Sequence, residues 1–314
     1  GEEHISAPFF TIIRLLQNIL ISLILQKKLT MHKLFLVFIS IMVCFAFKND
    51  KPSYILYNSK GQKVNFSKMI SELKKKELIL FGEIHNNPIS HWLQLELTKA
   101  LDKSNNLILG AEMFESDNQE GLNLYLDDSI DSKALYSCVR LWNNYTTDYK
   151  PLLDYAKGHK LSFIATNIPR RYAAMVHKKG GFHALDSLSS KEKSWIAPLP
   201  LPFDPELASY KAMLNMFGGH GSPDIIKAQA SKDATMSHFI LKNLKKNHTF
   251  LHFNGSYHSN NYEGILWYIK QENPKMNFAT ISTVNQEKVN KLEKQYQGIA
   301  DYIIVVDKDM TTTF

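Results

Sequence analysis

The sequence predicts an α/β fold: a doubly wound, largely parallel sheet with a helical insertion subdomain. Six short apolar runs recur along the chain, and segments of helical length separate them. Strands buried on both faces of a parallel sheet are near-continuous apolar runs, whereas strands with one wet face alternate apolar and polar residues. The predicted strands are 78–81, 107–109, 161–165, 249–253, 278–281 and 302–306.

The segment after the first strand shows the helical pattern clearly. Asn87 can cap a helix, and Pro88 suits the first helical position because its missing N–H would have no partner there. Leu93 and Leu97 then recur on one face. His91, near the start of this helix, can reach the same site as His85, but we expect it to face solvent instead.

The chain is expected to divide into four segments. Residues 1–46 form an N-terminal targeting segment, 47–184 and 245–314 are the two parts of the α/β domain, and 185–244 are the helical insertion. The insertion contains no run typical of a strand and begins with a proline-rich stretch at 197–202. A length of 314 residues suits one large domain with an insertion.

Composition excludes several classes of protein. Hydrophobic residues at 44% and charged residues at 21% are typical of a globular chain and exclude disordered and collagen-like ones. The formal charge is +7, but the basic residues are scattered and lack interleaved aromatics, so we expect no nucleic-acid partner. Two cysteines, Cys44 and Cys138, cannot build a disulfide framework or a four-thiolate zinc site.

The apolar N-terminal region predicts export to the cell envelope. Met31 and Lys33 precede the apolar run 34–47, as in the charged and hydrophobic regions of a signal peptide. We expect Met31 to be the start, which leaves the translation of residues 1–30 open. Cys44 loosely fits a lipoprotein box in which Val43 is bulky, so lipid anchoring and a cleaved, periplasmic product both stay open. Two packed or membrane-anchoring helices over 9–47 are the competing interpretation.

Polar residues follow four of the predicted strands. They lie at 82–85, 112–114, 167–170 and 254–258. The carboxyl ends of parallel strands meet at one edge of a sheet, where loops and helix N-termini bind ligands. We therefore expect one shared site, although each cluster alone is also explained by helix caps, tight turns or a core histidine.

The residues expected at this edge offer two chemistries. His85, Glu112 and His258, if they point inward, can hold a divalent metal that activates water. Without a metal, a histidine paired with Glu83 or Glu112 can act as the general base of a hydrolase. Because no HExxH helix is present, spacing does not choose between them.

The ordered motifs resemble the ChaN-like haem-binding uptake proteins. The resemblance rests on 80–85, 110–114, 167–170 and 229–236, and it covers roughly 54–306. It implies a cell-envelope protein that binds haem for iron uptake, with an α/β domain and a helical subdomain. The two Gly-x-x-His motifs also resemble the wider superfamily of Tiki proteases, TraB proteins and erythromycin esterases. In the esterase branch, this implies hydrolysis by Glu83, His85, Glu112 and His258.

A haem site needs an axial donor, an apolar slot and cations for the propionates. Tyr210 and His220 flank apolar residues of the insertion, and Tyr257 at the sheet edge is the rival ligand. Arg170 can pair with propionates, and Met236 is a candidate soft ligand. Packing in a core is the competing explanation for the methionines and aromatics of the insertion.

Two interpretations from different classes stay open. The first is a haem carrier or receptor of the cell envelope that performs no turnover, with haem as its cofactor. The second is a hydrolase, either metal-dependent or based on a histidine–glutamate pair, like a Tiki protease or an erythromycin esterase. A homodimer that encloses haem between two protomers is compatible with the first.

Overall fold

The computed structural model describes residues 7–46, 51–216 and 223–314, and the chain forms two units, residues 1–51 and 52–314. The described part of the first unit is the single helix α1 (Ala7–Ala46). Within the described ranges, no helix is both long and apolar enough to cross a membrane. Export and lipid anchoring therefore stay predictions.

The second unit is built on a sheet that has eight strands among the described residues. They are β1 (Tyr54–Asn58), β2 (Lys63–Val64), β3 (Leu78–Glu83), β4 (Leu107–Glu115), β5 (Ser162–Asn167), β6 (Thr249–Gly255), β7 (Phe278–Gln286) and β8 (Tyr302–Asp307). Their order is β2-β1-β8-β7-β3-β6-β4-β5. The strands from β8 to β5 are parallel, whereas β1 is antiparallel to β8 and to β2. This confirms the predicted fold class.

Helices cover both faces of the sheet. They are α2 (Phe66–Leu73), α3 (Pro88–Asp102), α4 (Gln119–Leu126), α5 (Ser132–Cys138), α6 (Lys150–Gly158), α7 (Arg170–Lys178), α8 (Ser190–Lys193), α9 (Ala208–Met216), α10 (Pro223–Asn243) and α11 (Ile265–Glu272). Alternate residues of β3 enter two different apolar clusters: Ile79 and Phe81 pack with α2 to α6, and Leu78 and Leu80 pack with α10 and α11. The core therefore has three layers.

The start of α3 is capped as the sequence predicts. The Asn87 side chain accepts a hydrogen bond from the backbone N–H of Ser90 at 3.0 Å, and Pro88 occupies the first turn. Leu93 and Leu97 are buried in the core. The expectation for His91 was wrong, because this side chain is only 7% exposed and faces the carboxyl edge of the sheet instead of solvent.

The segment 185–244 holds α8, α9 and α10, and its described residues, 185–216 and 223–244, contain no strand. Met236 and Ile240 of α10 share an apolar cluster with Leu80 and Phe250, so this helix packs directly on the sheet. It thereby carries its polar residues to the carboxyl edge. The boundaries of the insertion as a subdomain stay a prediction.

Two features of the strands shape that edge. The pairing of β4 with β5 shifts between Ala111 and Glu115, and Glu112 lies within this irregularity. At Gly82, an added Cβ would lie 2.9 Å from the carbonyl oxygen of Ile281 and 3.0 Å from the Cα of Ser256. Only glycine allows the chain to approach this closely beside the site.

Candidate functional site

Glu83, the last residue of β3, is held by three side chains. Its carboxylate accepts hydrogen bonds from the Tyr149 hydroxyl at 2.7 Å, from His85 Nδ1 at 2.9 Å and from the Gln94 amide. Burial acts to raise the pKa of Glu83, but the hydrogen bonds and the charges of His85 and His91 outweigh burial and lower it. Glu83 is therefore a buried carboxylate that fixes the orientation of the His85 ring.

His85 faces a cavity with the other side of its ring. Its side chain is 40% exposed, and Cε1 and Nε2 lie so close to Gly255 that an added Cβ would be 2.8 Å from both. Burial acts to lower the pKa of His85, but the hydrogen bond to Glu83 and the charge of Glu112 raise it. With Nδ1 directed to a carboxylate, Nε2 is the nitrogen that can exchange a proton with a bound molecule.

The backbone of His85 is fixed from a second direction. Its carbonyl oxygen accepts from the Asn144 amide at 2.8 Å and lies 3.0 Å from His91 Nε2. The Asn144 amide also donates to buried Asp148 at 2.6 Å. These contacts join the loop after β3 to the turn before α6, so His85 is held through both its main chain and its side chain.

Glu112 and His258 form a second buried pair across Gly255. Glu112 Oε2 accepts from the Gly255 N–H at 2.7 Å, and Glu112 Oε1 lies 3.1 Å from His258 Nε2. His258 Nδ1 lies 2.5 Å from Asp233 Oδ1. Burial acts to lower the pKa of His258, but the two carboxylates raise it to about 9. His258 is therefore an imidazolium that donates from both nitrogens at neutral pH.

Helix α10 supplies the outer partners of this pair. Asp233 Oδ2 accepts from the Tyr210 hydroxyl at 3.1 Å, and burial raises the pKa of Asp233. The amide nitrogen of Gln229 lies 3.0 Å and 3.2 Å from the two ring nitrogens of His258, so it contacts the ring but accepts no hydrogen bond from it. Sequence reasoning assigned no role to Asp233 or Tyr149, although Asp233 belongs to the 229–236 segment of the family resemblance.

The residues as folded do not fit the predicted divalent-metal site. His85, Glu112 and His258 lie together, but both nitrogens of His258 are bonded to carboxylates. A metal-binding histidine must be neutral and must offer a nitrogen lone pair. No group of three or more His, Cys, Asp or Glu residues suited to a metal occurs in the part of the chain that the structure describes.

Two cavities adjoin this network. The larger, called the polar cavity because most of its lining residues are polar or charged, has a volume of 580 Å³. It is lined by His85, Glu112, Trp142, Asn144, Asn167, Arg171 and Phe314, among others. The apolar cavity, of 410 Å³, is lined by Ala173, His177, Met213, Ile225, Ala228 and Tyr257, among others. Arg170 and Lys232 line both, so the two cavities share a cationic boundary.

The candidate haem ligands lie in different environments. Tyr257 is 54% exposed and lines the apolar cavity. Tyr210 is 1% exposed, lines neither cavity and has its hydroxyl bonded to Asp233. Met236 is fully buried in the apolar cluster under the sheet. His220 lies outside the described residues.

Comparisons with known proteins match most of this chain. A family described as haem-binding uptake, Tiki superfamily, ChaN matches residues 69–269, well over half of the sequence. The solved structure of ChaN of Campylobacter jejuni, which describes cofacial haem binding, has a TM-score of 0.61. It is 18% identical and covers 82% of this chain and 99% of its own, so the likeness shows the fold.

One curated relative is a plant protein. Protein RETICULATA-RELATED 5, chloroplastic, of Arabidopsis thaliana is 29% identical over 135 residues. The match spans 40% of this chain but only 18% of the Arabidopsis protein. It therefore relates one region of the two chains and carries no activity from one to the other.

Proposed function

Because the chain belongs to the haem-binding uptake family of the Tiki superfamily, we propose that it binds haem where the polar and apolar cavities meet. The proposed role is haem and iron uptake in the cell envelope, with the chain either periplasmic or anchored to a membrane by lipid. The observation that carries the proposal is the boundary shared by the two cavities, where Arg170 and Lys232 stand between an apolar wall and a polar one.

The apolar cavity offers what the macrocycle needs. Ala173, Met213 and Ile225 give it an apolar wall, and its 410 Å³ lies within the ~300–1,000 Å³ of typical ligand sites. Arg170 and Lys232 at its rim can form charge-assisted hydrogen bonds with two propionates.

Tyr257 is the axial ligand that this geometry favours. Its phenol reaches the apolar cavity, and a phenolate is a known protein ligand of haem iron. Burial, with the negative charge of Asp233, raises the pKa of Tyr210, so that phenol keeps its proton. Tyr210 also lies outside both cavities and therefore supports Asp233 instead of iron.

A homodimer is part of the proposal. Tyr257 is 54% exposed at the apolar cavity, so a haem held by this residue would leave part of its surface uncovered by the protomer that binds it. A second protomer or a second haem can cover that surface, in line with the cofacial binding described for ChaN of Campylobacter jejuni. Sedimentation of the full chain with and without haemin measures this directly, and a mass that stays monomeric at saturation would rule the dimer out.

The test of haem binding is a haemin titration of the full chain followed by absorption spectroscopy. We expect saturable binding, and Tyr257→Phe is expected to change the iron spectrum and weaken binding about tenfold through loss of the donor oxygen. Tyr136→Phe is the matched control, since Tyr136 is 51% exposed and lines neither cavity. Arg170→Ala should weaken binding and leave the spectrum unchanged. Identical titrations for the wild type and Tyr257→Phe would exclude this ligand, and the absence of saturable binding would exclude the function.

A hydrolase is the second candidate, and the Glu83–His85 pair favours it. The carboxylate holds Nδ1, and the His85 ring lines the polar cavity, so Nε2 is the nitrogen left to act as a general base on water or a hydroxyl. We expect His85→Ala to lower any ester or peptide hydrolysis about 100-fold or more while haemin binding survives. His159→Ala, at an exposed ion pair with Asp102, is the control. Hydrolysis that persists in His85→Ala would exclude this role.

A further inference from the structure

Residues 311–314 lie beside the polar cavity, which Phe314 lines. The geometry points to this segment as a strap that controls access to His85, with Thr313 as its latch and Phe314 as its stopper. The inference concerns which molecules can reach His85, and it depends on neither haem binding nor hydrolysis.

The latch consists of two hydrogen bonds made by Thr313. Its backbone N–H donates to the carbonyl oxygen of Asn86 at 3.0 Å, and its hydroxyl donates to Asp148 Oδ2 at 2.6 Å. Asp148 is only 4% exposed, so Thr313 reaches a buried carboxylate from the surface. Hydrogen bonds to ionised acceptors are among the stronger ones in proteins.

The latch is connected to the backbone of His85. Asp148 Oδ2 also accepts from the Asn144 amide at 2.6 Å, and the same amide donates to the carbonyl oxygen of His85 at 2.8 Å. Asn86, the other partner of Thr313, directly follows His85 in the chain. The strap is therefore joined twice to the loop that carries the histidine, directly at Asn86 and through Asp148 and Asn144 at His85.

Phe314 contributes little buried apolar surface to the fold. Its side chain lines the polar cavity together with His85 and Glu112, yet it is 66% exposed. Because this apolar ring remains largely in contact with water, its burial stabilises the closed strap only weakly. The hydrogen bonds of Thr313 therefore supply most of the interaction that keeps the strap in place. Segments with few buried contacts open locally far more easily than the whole chain unfolds.

The strap begins where the turn 307–310 ends. The backbone N–H of Met310 donates to Asp307 at 3.0 Å, and Met310 packs against the main core. Thr311 beyond it is exposed. Within 311–314, the hydrogen bonds that tie the strap to the rest of the fold are the two made by Thr313, so breaking them releases the strap from the His85 loop.

The test measures how fast diethylpyrocarbonate acylates His85 in the full chain, resolved by peptide mass spectrometry. The His85 side chain is 40% exposed with the strap in place. We expect Thr313→Val and Phe314→Ala each to raise the rate at His85 about threefold or more, because release of the strap exposes more of the ring. Thr311→Val is the matched control within the same segment and should react like the wild type.

Two histidines calibrate the experiment. The side chain of His183 is 94% exposed and sets the reference rate, whereas His252 is fully buried and reacts only if the chain unfolds. An unchanged rate at His85 in either variant, an equal increase in Thr311→Val, or an increase accompanied by modification of His252 would overturn the strap. The readout needs no haemin, so its failure is separate from a failure of haem binding.

Discussion

Asp233 Oδ1 lies 2.5 Å from His258 Nδ1, while Glu112 Oε1 approaches the other nitrogen of the same ring at 3.1 Å. Two carboxylates from a helix and a strand thus flank one buried imidazole. The charges of His258 and His85 lower the pKa of Glu112 despite burial, whereas burial raises the pKa of Asp233. His258 is the cation that makes the burial of both carboxylates tolerable, because an uncompensated buried charge is costly.

Replacing Asp233 by asparagine is expected to lower the pKa of His258. The pKa of about 9 depends on both neighbouring carboxylates, and an opposite charge at this distance is worth about one to three pKa units. An NMR titration of the imidazole measures the change. Asp186→Asn is the control, because Asp186 pairs with His183 on the surface. An unchanged pKa of His258 in Asp233→Asn would mean that Glu112 alone holds the charge.

The contact between His258 and Asp233 also makes the stability of the fold depend on pH. His258 has a folded pKa of about 9 against an ordinary 6.5, so its stabilisation is complete below pH 6.5 and is lost as pH rises through 9. The shift corresponds to about 3 kcal/mol. We expect the free energy of unfolding in urea to fall between pH 6.5 and pH 9, and to fall less in Asp233→Asn.

His85 contributes to the same pH dependence. Its pKa is raised as well, so its contribution changes in the same direction, and the charge of His258 acts to lower that pKa. The difference between the two slopes therefore reports His258 together with its effect on His85. Parallel curves for the two proteins would show that Asp233 does not sustain the charge on His258.

The six strands that the sequence predicts are the six that run parallel to one another. They were detectable because strands inside a parallel sheet are buried on both faces and are therefore continuous apolar runs. Leu78–Glu83, for example, is buried on both faces, so nothing in it needs to alternate. The strands that were missed are the antiparallel edge pair Tyr54–Asn58 and Lys63–Val64. The second has only two residues, too few for any pattern to detect. The first is itself an apolar run over 54–57, which the prediction passed over, and its burial at the sheet edge is only partial.

The site was predicted only where its residues follow a strand. Glu83 and Glu112 belong to strands whose ends meet at the sheet edge, as parallel topology requires. Asp233 and Tyr149 come from a helix and an irregular turn, and their approach depends on tertiary packing that no local spacing encodes. The buried position of His91 was missed for the same reason, since its helix has polar residues on the face that meets the site.

Gly255 is expected to tolerate no side chain. A Cβ there would lie 2.8 Å from two ring atoms of His85 and 3.4 Å from Glu112 Oε2, so Gly255→Ala must displace the imidazole. Overpacking of this kind costs about 1–3 kcal/mol. Gly158→Ala is the control, because nothing lies within 4 Å of its Cβ position. Urea unfolding of both variants tests this, and equal stabilities would show that His85 moves aside freely.

Tyr149 is expected to stabilise the charge of Glu83. Tyr149→Phe removes one of the donors to that carboxylate, and the loss of a hydrogen bond to a buried charge costs about 1.5–3 kcal/mol. Tyr136→Phe, which removes only an exposed bond to Thr146, should change stability far less. Urea unfolding at pH 7 gives both values.

The effect of Tyr149→Phe should also shrink in acid. Because the folded pKa of Glu83 is lowered, its stabilisation is present above the ordinary value of 4.5 and is lost as pH falls through the folded pKa. Once Glu83 is protonated, Tyr149 no longer supports a charge, so the wild type and Tyr149→Phe should converge in stability. A difference that stays constant from pH 7 to acid would mean that Tyr149 acts through packing of its ring, and the hydroxyl would then have no part in holding the Glu83–His85 pair.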